Sequence, residues 1–398
     1  MVIINKMVTL SIFMNRFSAL VVFSIILLFS FVQQQTQSPN SILFIISIAM
    51  GIVLYKGMFG FAGAYRQAIE KSDMRGVFAQ IFMLAMATLL FAPMLAIGYI
   101  YDHEVVSATA PLSVALMIGA FLFGIGMQLG GSCASGSLFI SGSGNRRTII
   151  VLVFFCFGAF LGSLHLSSWQ TLPNIAPINL AEEYGFEVAL PMQLSILAIL
   201  YAVFSFLHKA PTDDKQGNTL WWRNGFNFRN FVYGTWPLML TATLLAVLNW
   251  LVLLVAGHPW SITWAFSLWG AKAATFFGWL PNSSDFWSRE FQMAALDSPL
   301  LQDETSLMNI GIFLGALLAA SIAKQFKFSG IIDVKGVSSA IIAGLLMGYG
   351  ARLAYGCNIG AFFSGIASTS LHGWLWIACA VPGFWFGILI ARYFNRIV

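Results

Sequence analysis

Two cysteines, Cys133 and Cys357, stand in nearly the same local sequence. Each follows a Gly-x-Gly pair and a leucine and precedes a glycine and a phenylalanine. All six shared positions fall at one constant spacing, since 357 minus 133 is 224 residues. A thiol is a weak hydrogen-bond donor and a weak acceptor. A repeated thiol is therefore suited either to holding a soft anion loosely or to forming a redox couple.

The glycines beside each cysteine predict a break in the helix that carries it. A broken helix bares backbone N–H groups at the start of its second half, where the helix dipole also favours an anion. The alternative is close packing, in which free cysteines are small buried residues and glycines let helices touch. The occurrence in both copies favours a functional role for Cys133 and Cys357, whereas Cys156 and Cys379 lie in smooth apolar stretches and are interpreted as structural.

Charged residues within apolar stretches are costly and are functional candidates by default. Arg352 lies shortly before Cys357 and is expected to balance an anion there, although its counterpart Gln128 is uncharged. Lys272 and Arg66 are further candidates, and the alternative for each is an interfacial or cytoplasmic charge. Small and polar residues that complete the predicted pathway beside the two thiols are Ser132, Gly136, Asn358 and Gly360. No metal-ligand spacing is present, and we expect neither a metal nor a cofactor.

The composition requires lipid as the solvent for most of the chain. Of the 398 residues 59% are hydrophobic and 9% charged, against about 25% charged in soluble domains. Apolar runs long enough to cross a bilayer are predicted near 17–34, 41–58, 77–100, 112–140, 149–168, 190–208, 232–256, 306–326, 337–366 and 373–393. The first run is read as a transmembrane helix rather than a signal peptide, because glutamines and no small-x-small site follow it.

The charges predict the orientation. With both termini in the cytoplasm, most of the 20 basic residues fall inside and the acidic loops outside. This holds only if the apolar stretch 261–281 enters from outside and returns, as a re-entrant or broken helix. The net charge of +5 is then explained by cytoplasmic Lys and Arg, and no nucleic-acid partner is needed.

The two cysteine segments run in opposite directions through the membrane in this orientation. We therefore predict an all-α integral membrane protein with about ten transmembrane helices in two inverted-topology repeats, whose broken or re-entrant helices meet at a central path. Secondary transporters of this architecture bind substrate near the membrane midplane. The predicted division of the chain is an N-terminal helix (1–40), a first repeat (41–168), a connector with one helix and a cytoplasmic linker (169–231) and a second repeat (232–398).

The doubled motif Gly-x-Gly-x-x-Leu-x-x-(Gly/Ser)-Cys-x-x-Gly resembles the YeeE/YedE family of sulfur-transport membrane proteins. The segments from Phe59 to Arg66 and from Ala265 to Lys272 share this resemblance. It implies uptake of a sulfur compound through a bacterial inner membrane, thiosulfate in the characterised branch, by a central row of cysteines. Cys133 and Cys357 correspond to two of those positions. Gly60 stands where the thiosulfate branch has a third cysteine.

The sequence thus predicts a transporter or facilitated channel for a small sulfur-containing anion, most directly thiosulfate, and not an enzyme. No Walker A motif is present for ATP hydrolysis. Alternatives are a transporter of another sulfur or selenium compound, a membrane thiol oxidoreductase that uses Cys133 and Cys357, and a non-catalytic scaffold. The expected partners are the anion, the lipid bilayer and a small cytoplasmic sulfur-carrier protein.

Overall fold

The structure is a computed structural model that describes residues 16–36, 38–100, 103–209, 219–222, 226–329 and 333–394. Within these ranges ten helices are long and apolar enough to cross a membrane. This confirms the predicted all-α membrane protein with about ten spans. The basic residues Lys6, Lys215, Arg223 and Arg396, which entered the predicted orientation, lie outside the described ranges.

The described residues of the first half form seven helices, and the fifth and sixth are two pieces of one membrane-crossing segment. They are α1 (Arg16–Gln35), α2 (Ser38–Gly57), α3 (Phe61–Lys71), α4 (Arg75–Ile97), α5 (Val114–Gly130), α6 (Ala134–Gly142) and α7 (Arg146–Leu164). A connecting region follows, with one long helix among short ones: α8 (Leu166–Gln170), α9 (Leu180–Tyr184), α10 (Phe186–Leu207) and α11 (Phe228–Tyr233).

The second half repeats this arrangement, again with one segment in two pieces. Its elements are α12 (Leu238–Ala256), α13 (Thr263–Phe276), α14 (Glu290–Asp297), α15 (Glu304–Ile322), α16 (Val334–Leu353), a π-helical turn (Asn358–Phe363), α17 (Ser364–Ala367) and α18 (Leu371–Tyr393). Single 3₁₀ turns cover Pro281–Ser283 and Leu300–Gln302. Two antiparallel pairs of two-residue strands join β1 (Tyr99–Ile100) to β2 (His103–Glu104) and β3 (Leu112–Ser113) to β4 (Asn174–Ile175).

The span predicted from 232 begins later, because Pro237 caps α12 with extended backbone (ψ 148°) and the residues before it form the separate short helix α11. Helix α13 has only 14 residues. At about 1.5 Å per residue it is too short for a hydrocarbon core of about 30 Å, as the re-entrant interpretation of 261–281 required. In the first turn of α13 the Trp264 indole donates to Asp303 at 2.8 Å.

Loops gather at two opposite ends of the helices. The loops after α4, α7, α12 and α13 form one end, here called the acidic-loop face, where Val106 N donates to Gly257 O at 2.8 Å and β3 pairs with β4. The loops after α3, α6 and α15 and the described part of the loop after α10 form the basic-loop face. There Arg146 N donates to Ser329 O at 3.0 Å, and Lys209 N donates to Ser72 O at 2.9 Å.

Contacts in one half recur in the other with the partners exchanged. Helix α7 packs on α16 as α18 packs on α5, and α2 packs on α15 as α12 packs on α4. The glycine contacts repeat in the same register. Gly124 lies against Gly383, and Gly348 lies against Gly158. Gly124 corresponds to Gly348 at a spacing of 224 residues, and Gly158 corresponds to Gly383 at a spacing of 225 residues. This exchange is the pattern that two related halves require, and it supports the predicted repeat.

Candidate substrate pathway

Both repeated cysteines lie where a membrane-crossing segment is interrupted. Helix α5 ends at Gly130, Gly131 takes a left-handed conformation (φ 77°), and Cys133 caps α6. Helix α16 ends at Leu353, Gly356 has φ 153°, and Cys357 caps the π-helical turn. A positive φ of this kind suits glycine, so the local sequence produces the breaks as predicted.

The two thiols are almost fully buried and accept from the backbone of the helical segment that each begins. Cys133 Sγ accepts from Gly136 N at 3.4 Å, and Cys357 Sγ accepts from Ile359 N at 3.4 Å. The Oγ atom of Ser135 lies 3.3 Å from Cys133 Sγ. Each cysteine therefore sits at a helix N-terminus, where N–H groups and the dipole favour negative charge.

A third helix start meets these two. The ring of Phe61, the first residue of α3, lies edge-on to that of Phe362 in the π-helical turn, with 6.3 Å between centroids. Phe61, Cys133 and Cys357 all belong to one cluster of buried residues. Gly60 precedes Phe61, and a Cβ added to it would find no heavy atom within 4 Å. The structure thus brings Gly60, Cys133 and the Cys357 segment together.

Asn358 is fully buried, and neither its Oδ1 nor its Nδ2 has a hydrogen-bond partner among the described residues. Leaving a buried amide unpaired costs about 1–3 kcal/mol. Trp376 has the same property at Nε1, and its ring stacks on Phe362 at 6.2 Å and lies 5.5 Å from Phe123. Asn358 and Trp376 therefore place polar atoms without a partner among the described residues beside the Cys357 segment. Nothing in the sequence distinguished Trp376 from an ordinary buried tryptophan.

Two of the predicted basic residues are engaged by the protein itself. Arg66 donates to the side chain and the carbonyl of Gln128, and Gln128 in turn donates to Ala62 O at 3.1 Å. Arg66 therefore joins α3 to α5 close to the Cys133 break. Lys272 donates to the carbonyls of Leu296 and Ser298, at 2.6 and 2.7 Å, and so joins α13 to the residues around the end of α14.

Arg352 lies against an aromatic ring rather than against the Cys357 thiol. Its guanidinium carbon is 4.2 Å from the centroid of the Phe286 ring, and Arg289 lies 5.9 Å from the same ring. The Arg352 Nε has no hydrogen-bond partner in the ranges that the structure describes. The charge thus lies beside the Cys357 segment but faces the loop between α13 and α14.

The remaining predicted residues flank the two thiols. Ser132 Oγ shares a hydrogen bond of 2.8 Å with Ser137 Oγ inside the first break. Gly360 borders a cavity of about 190 Å³ that opens at the acidic-loop face beside the Cys357 segment. The cavity is also lined by Tyr355 and Ser364 and by the loop that precedes α13. Cys156 and Cys379 are partly buried on α7 and α18, away from both breaks.

Comparison with known proteins identifies the family. A family model described as "Sulphur transport" matches residues 56–386. The chain is 26% identical over 358 residues to "Thiosulfate transporter TsuA" of Spirochaeta thermophila, which covers 86% of this chain and 96% of that protein. It is 24% identical over 340 residues to the Escherichia coli protein of the same name, covering 84% and 90%.

A shorter match has a higher sequence identity. "Probable transporter YedE" of Escherichia coli is 35% identical over 133 residues, which is 33% of this chain and 32% of that protein. Since the family model spans most of the chain, including both cysteine breaks, this multi-pass membrane protein belongs to the sulphur transport family.

Proposed function

We propose that this protein takes up a small sulfur-containing anion, most directly thiosulfate, and passes it from Cys357 to Cys133. The observation that carries the proposal is the meeting of two helix N-termini, each capped by a buried thiol, within one transporter fold. A thiol holds a soft anion weakly. Conduction requires that the ion be released again from each thiol that binds it in turn, so weak binding is suitable. The full-length similarity to two proteins named as thiosulfate transporters supports the choice of ion.

The other candidate residues divide by their contacts. Asn358 is proposed to bind the ion directly, because its amide is buried and unpaired in the described structure. A Cβ on Gly136 would lie 3.4 Å from Cys133 Sγ, whereas a Cβ on Gly360 would lie 3.5 Å from Ser261 Oγ at the cavity. Gly60 leaves open space where a third cysteine would be. Arg66 and Ser132 are proposed to hold the Cys133 break in shape. In this proposal Asn358 and the two thiols contact the ion, while the other candidate residues shape the path around it.

Lys272 and Arg352 act nearer the acidic-loop face in this proposal. Lys272 fixes the position of α13 through two carbonyls. Arg352 keeps a positive charge beside the Cys357 segment while its guanidinium rests on Phe286. A cation there attracts the anion toward the path without binding it at the thiol.

The acidic-loop face is proposed to lie outside the bacterial inner membrane, with both termini in the cytoplasm. Support comes from the basic residues at the opposite end, such as Lys209 and Lys324, since Lys and Arg concentrate in cytoplasmic loops. At the basic-loop face, in the cytoplasm, a small acidic sulfur-carrier protein is proposed to accept the transported sulfur compound. A cysteine introduced at Ser298, on a background without other reactive thiols, is expected to react with an impermeant reagent added to intact cells. Protection at Ser298 would contradict this orientation.

Uptake of radiolabelled thiosulfate tests the function. Cells that lack their own sulfur-anion transporters are expected to accumulate the label only when they express this protein. Sulfite and selenium analogues, added unlabelled, rank the substrates by competition. Failure to accumulate thiosulfate, with accumulation of a competitor instead, would move the assignment to that ion.

A membrane thiol oxidoreductase is the competing class. Both cysteines are free in the structure. Titration of thiols in the freshly purified protein is expected to find Cys133 and Cys357 reduced. A disulfide between them in a substantial part of the population would favour the oxidoreductase.

A further inference from the structure

Two arginines cap the carbonyl end of the helix that leads into the first cysteine break. Arg147, at the start of α7, donates from Nη1 to Gly130 O at 2.9 Å and from Nη2 to Leu129 O at 2.7 Å. Arg66 donates to the preceding carbonyl, that of Gln128. Because α5 ends at Gly130, these carbonyls lie where no further helical turn supplies N–H partners. Guanidinium groups therefore bond the last three carbonyls of α5.

The Arg147 guanidinium is held against the break itself. A Cβ built on Gly131 would lie 3.6 Å from Arg147 Nη1, and Arg147 Nη2 also donates to Ser339 Oγ on α16 at 3.1 Å. Cys133 follows Gly131 by two residues and caps α6. Contacts with α5 and α16 thus hold a positive charge at the residues that directly precede the Cys133 thiol.

A cap of this kind changes the electrostatics of the break. The two halves of a broken helix present opposite dipole ends to the gap, and the carbonyl end, equivalent to roughly −0.5 elementary charge, repels an anion. Hydrogen bonds from a guanidinium, which stays protonated, offset that repulsion. The positive end of α6 then dominates the field that an anion meets beside Cys133.

The end of α16, before the second break, is satisfied differently. There Gly350 O accepts from Ala354 N and Ala351 O accepts from Gly356 N, both at 2.9 Å. Backbone groups bond these two carbonyls, and the guanidinium of Arg352 lies against an aromatic ring. The arginine cap on α5 therefore distinguishes the Cys133 break, which α7 reaches from the basic-loop face.

We propose that Arg147 is a positioning residue for passage of the ion: by capping the carbonyl end of α5, it makes the Cys133 break favourable for an anion arriving from Cys357. The inference rests on the proposed function, because it concerns the transfer of the transported ion to its second thiol. Arg147 acts on the ion through its charge, since Nη1 and Nη2 bond α5 and α16. Loss of this charge should slow the transfer step rather than weaken the first binding of the ion.

Initial rates of radiolabelled thiosulfate uptake, measured against concentration and divided by the amount of folded protein in the membrane, test this role. Arg147→Gln keeps an N–H donor but removes the charge, so its maximal rate should fall about tenfold while the half-saturating concentration stays within about twofold of wild type. Arg147→Lys keeps the charge and should retain most of the wild-type rate. Arg146→Gln is the matched control, because the neighbouring Arg146 is exposed and lies over the Phe328 ring, and it should transport as wild type.

A wild-type maximal rate in Arg147→Gln would overturn the inference. The same loss in Arg147→Lys as in Arg147→Gln would also overturn it, because the charge would then not be the property that matters. If Arg147→Gln does not accumulate as folded protein, Arg147→Lys decides alone: a rate near that of wild type supports the role, and a large loss contradicts it.

Binding to purified full-length Cys357→Ala protein in lipid nanodiscs separates this inference from the transport proposal. Calorimetry should show that adding Arg147→Gln weakens thiosulfate binding several-fold, while adding Arg146→Gln leaves it unchanged. Equal affinity in the three proteins, or binding by none of them, would overturn the role of Arg147 whatever the uptake result. Absence of uptake by the wild type, with the difference in binding present, would count against the transport proposal alone.

Discussion

The two cysteine breaks share a motif but differ in how their polar groups are satisfied. In the first, Ser132 pairs with Ser137 and Cys133 with Ser135, and a regular α-helix follows. In the second, Asn358 is buried and unpaired among the described residues, and the chain continues as a π-helical turn, a feature that often marks functional sites. The polar groups of the first break are therefore satisfied by the protein itself, while the second, next to the cavity, retains polar groups without a partner in the described ranges.

The largest expected effect comes from the glycine of each break. A Cβ on Gly356 would lie 2.7 Å from the backbone nitrogen of Ala361 at φ 153°, whereas a Cβ on Gly131 at φ 77° would come no closer than 3.6 Å to Arg147. Gly356→Ala is expected to prevent accumulation of folded protein. Gly131→Ala should cost about 1–2 kcal/mol, the penalty of a left-handed residue. Thermal stability in detergent measures both, and a more severe defect in Gly131→Ala would contradict the comparison.

The polar side chains provide the next test. Asn358→Leu should lower thiosulfate uptake by about tenfold or more, equivalent to ~1.4 kcal/mol, while the protein stays as stable as wild type. Ser132→Ala breaks a buried hydrogen bond and should lower the free energy of unfolding by about 1 kcal/mol with near-normal uptake. Initial uptake rates and melting temperatures of both variants give the comparison. Reduced stability and normal uptake in Asn358→Leu would remove its substrate role.

Arg352 adds a charge to the second break that Gln128 does not supply in the first. Arg352→Gln should reduce uptake several-fold, and more than Arg352→Lys, because the positive charge near the path is lost. Phe286→Leu leaves the charge and removes a cation–π contact of about 0.5–2 kcal/mol, so it should have the smaller effect on uptake. Equal losses in Arg352→Gln and Phe286→Leu would mean that Arg352 only braces the loop.

The smallest effect is expected at Gly60. The open space around it accommodates a cysteine. Gly60→Cys should raise the rate of thiosulfate uptake by about twofold, because a thiol forms weaker hydrogen bonds than the typical one, whose net contribution would change the rate more. Gly63→Cys is the matched control, since it also meets no atom within 4 Å but lies exposed on the same helix. An equal rise in both variants would show that the added thiol near Cys133 is not the cause.

The breaks at Cys133 and Cys357 were predictable from sequence because glycine at these positions has a local conformational consequence. The membrane spans were predictable because their length and hydropathy are local too. The short helix α13 followed from balancing charges across the membrane. These features depend on neighbouring residues or on simple sums over the chain.

The partners of the buried charges were not predictable. An arginine in an apolar stretch signals that something compensates it, but not whether that is the Gln128 amide, as for Arg66, or the Phe286 ring, as for Arg352. The cavity was missed for the same reason. Ser107, His258 and Tyr355 are far apart in the chain, and only the tertiary fold places them around one space.

Thiosulfate uptake by Cys133→Ala and Cys357→Ala, each compared with Cys156→Ala and Cys379→Ala, tests the central claim most directly. Growth on thiosulfate as the sole sulfur source is the readout, with the amount of folded protein in the membrane measured in parallel. We expect each of the first two variants to insert normally but nearly to lose uptake, while the two controls grow as wild type. If Cys133→Ala and Cys357→Ala cells both grow like wild type, the two buried thiols serve packing and the proposed pathway is wrong.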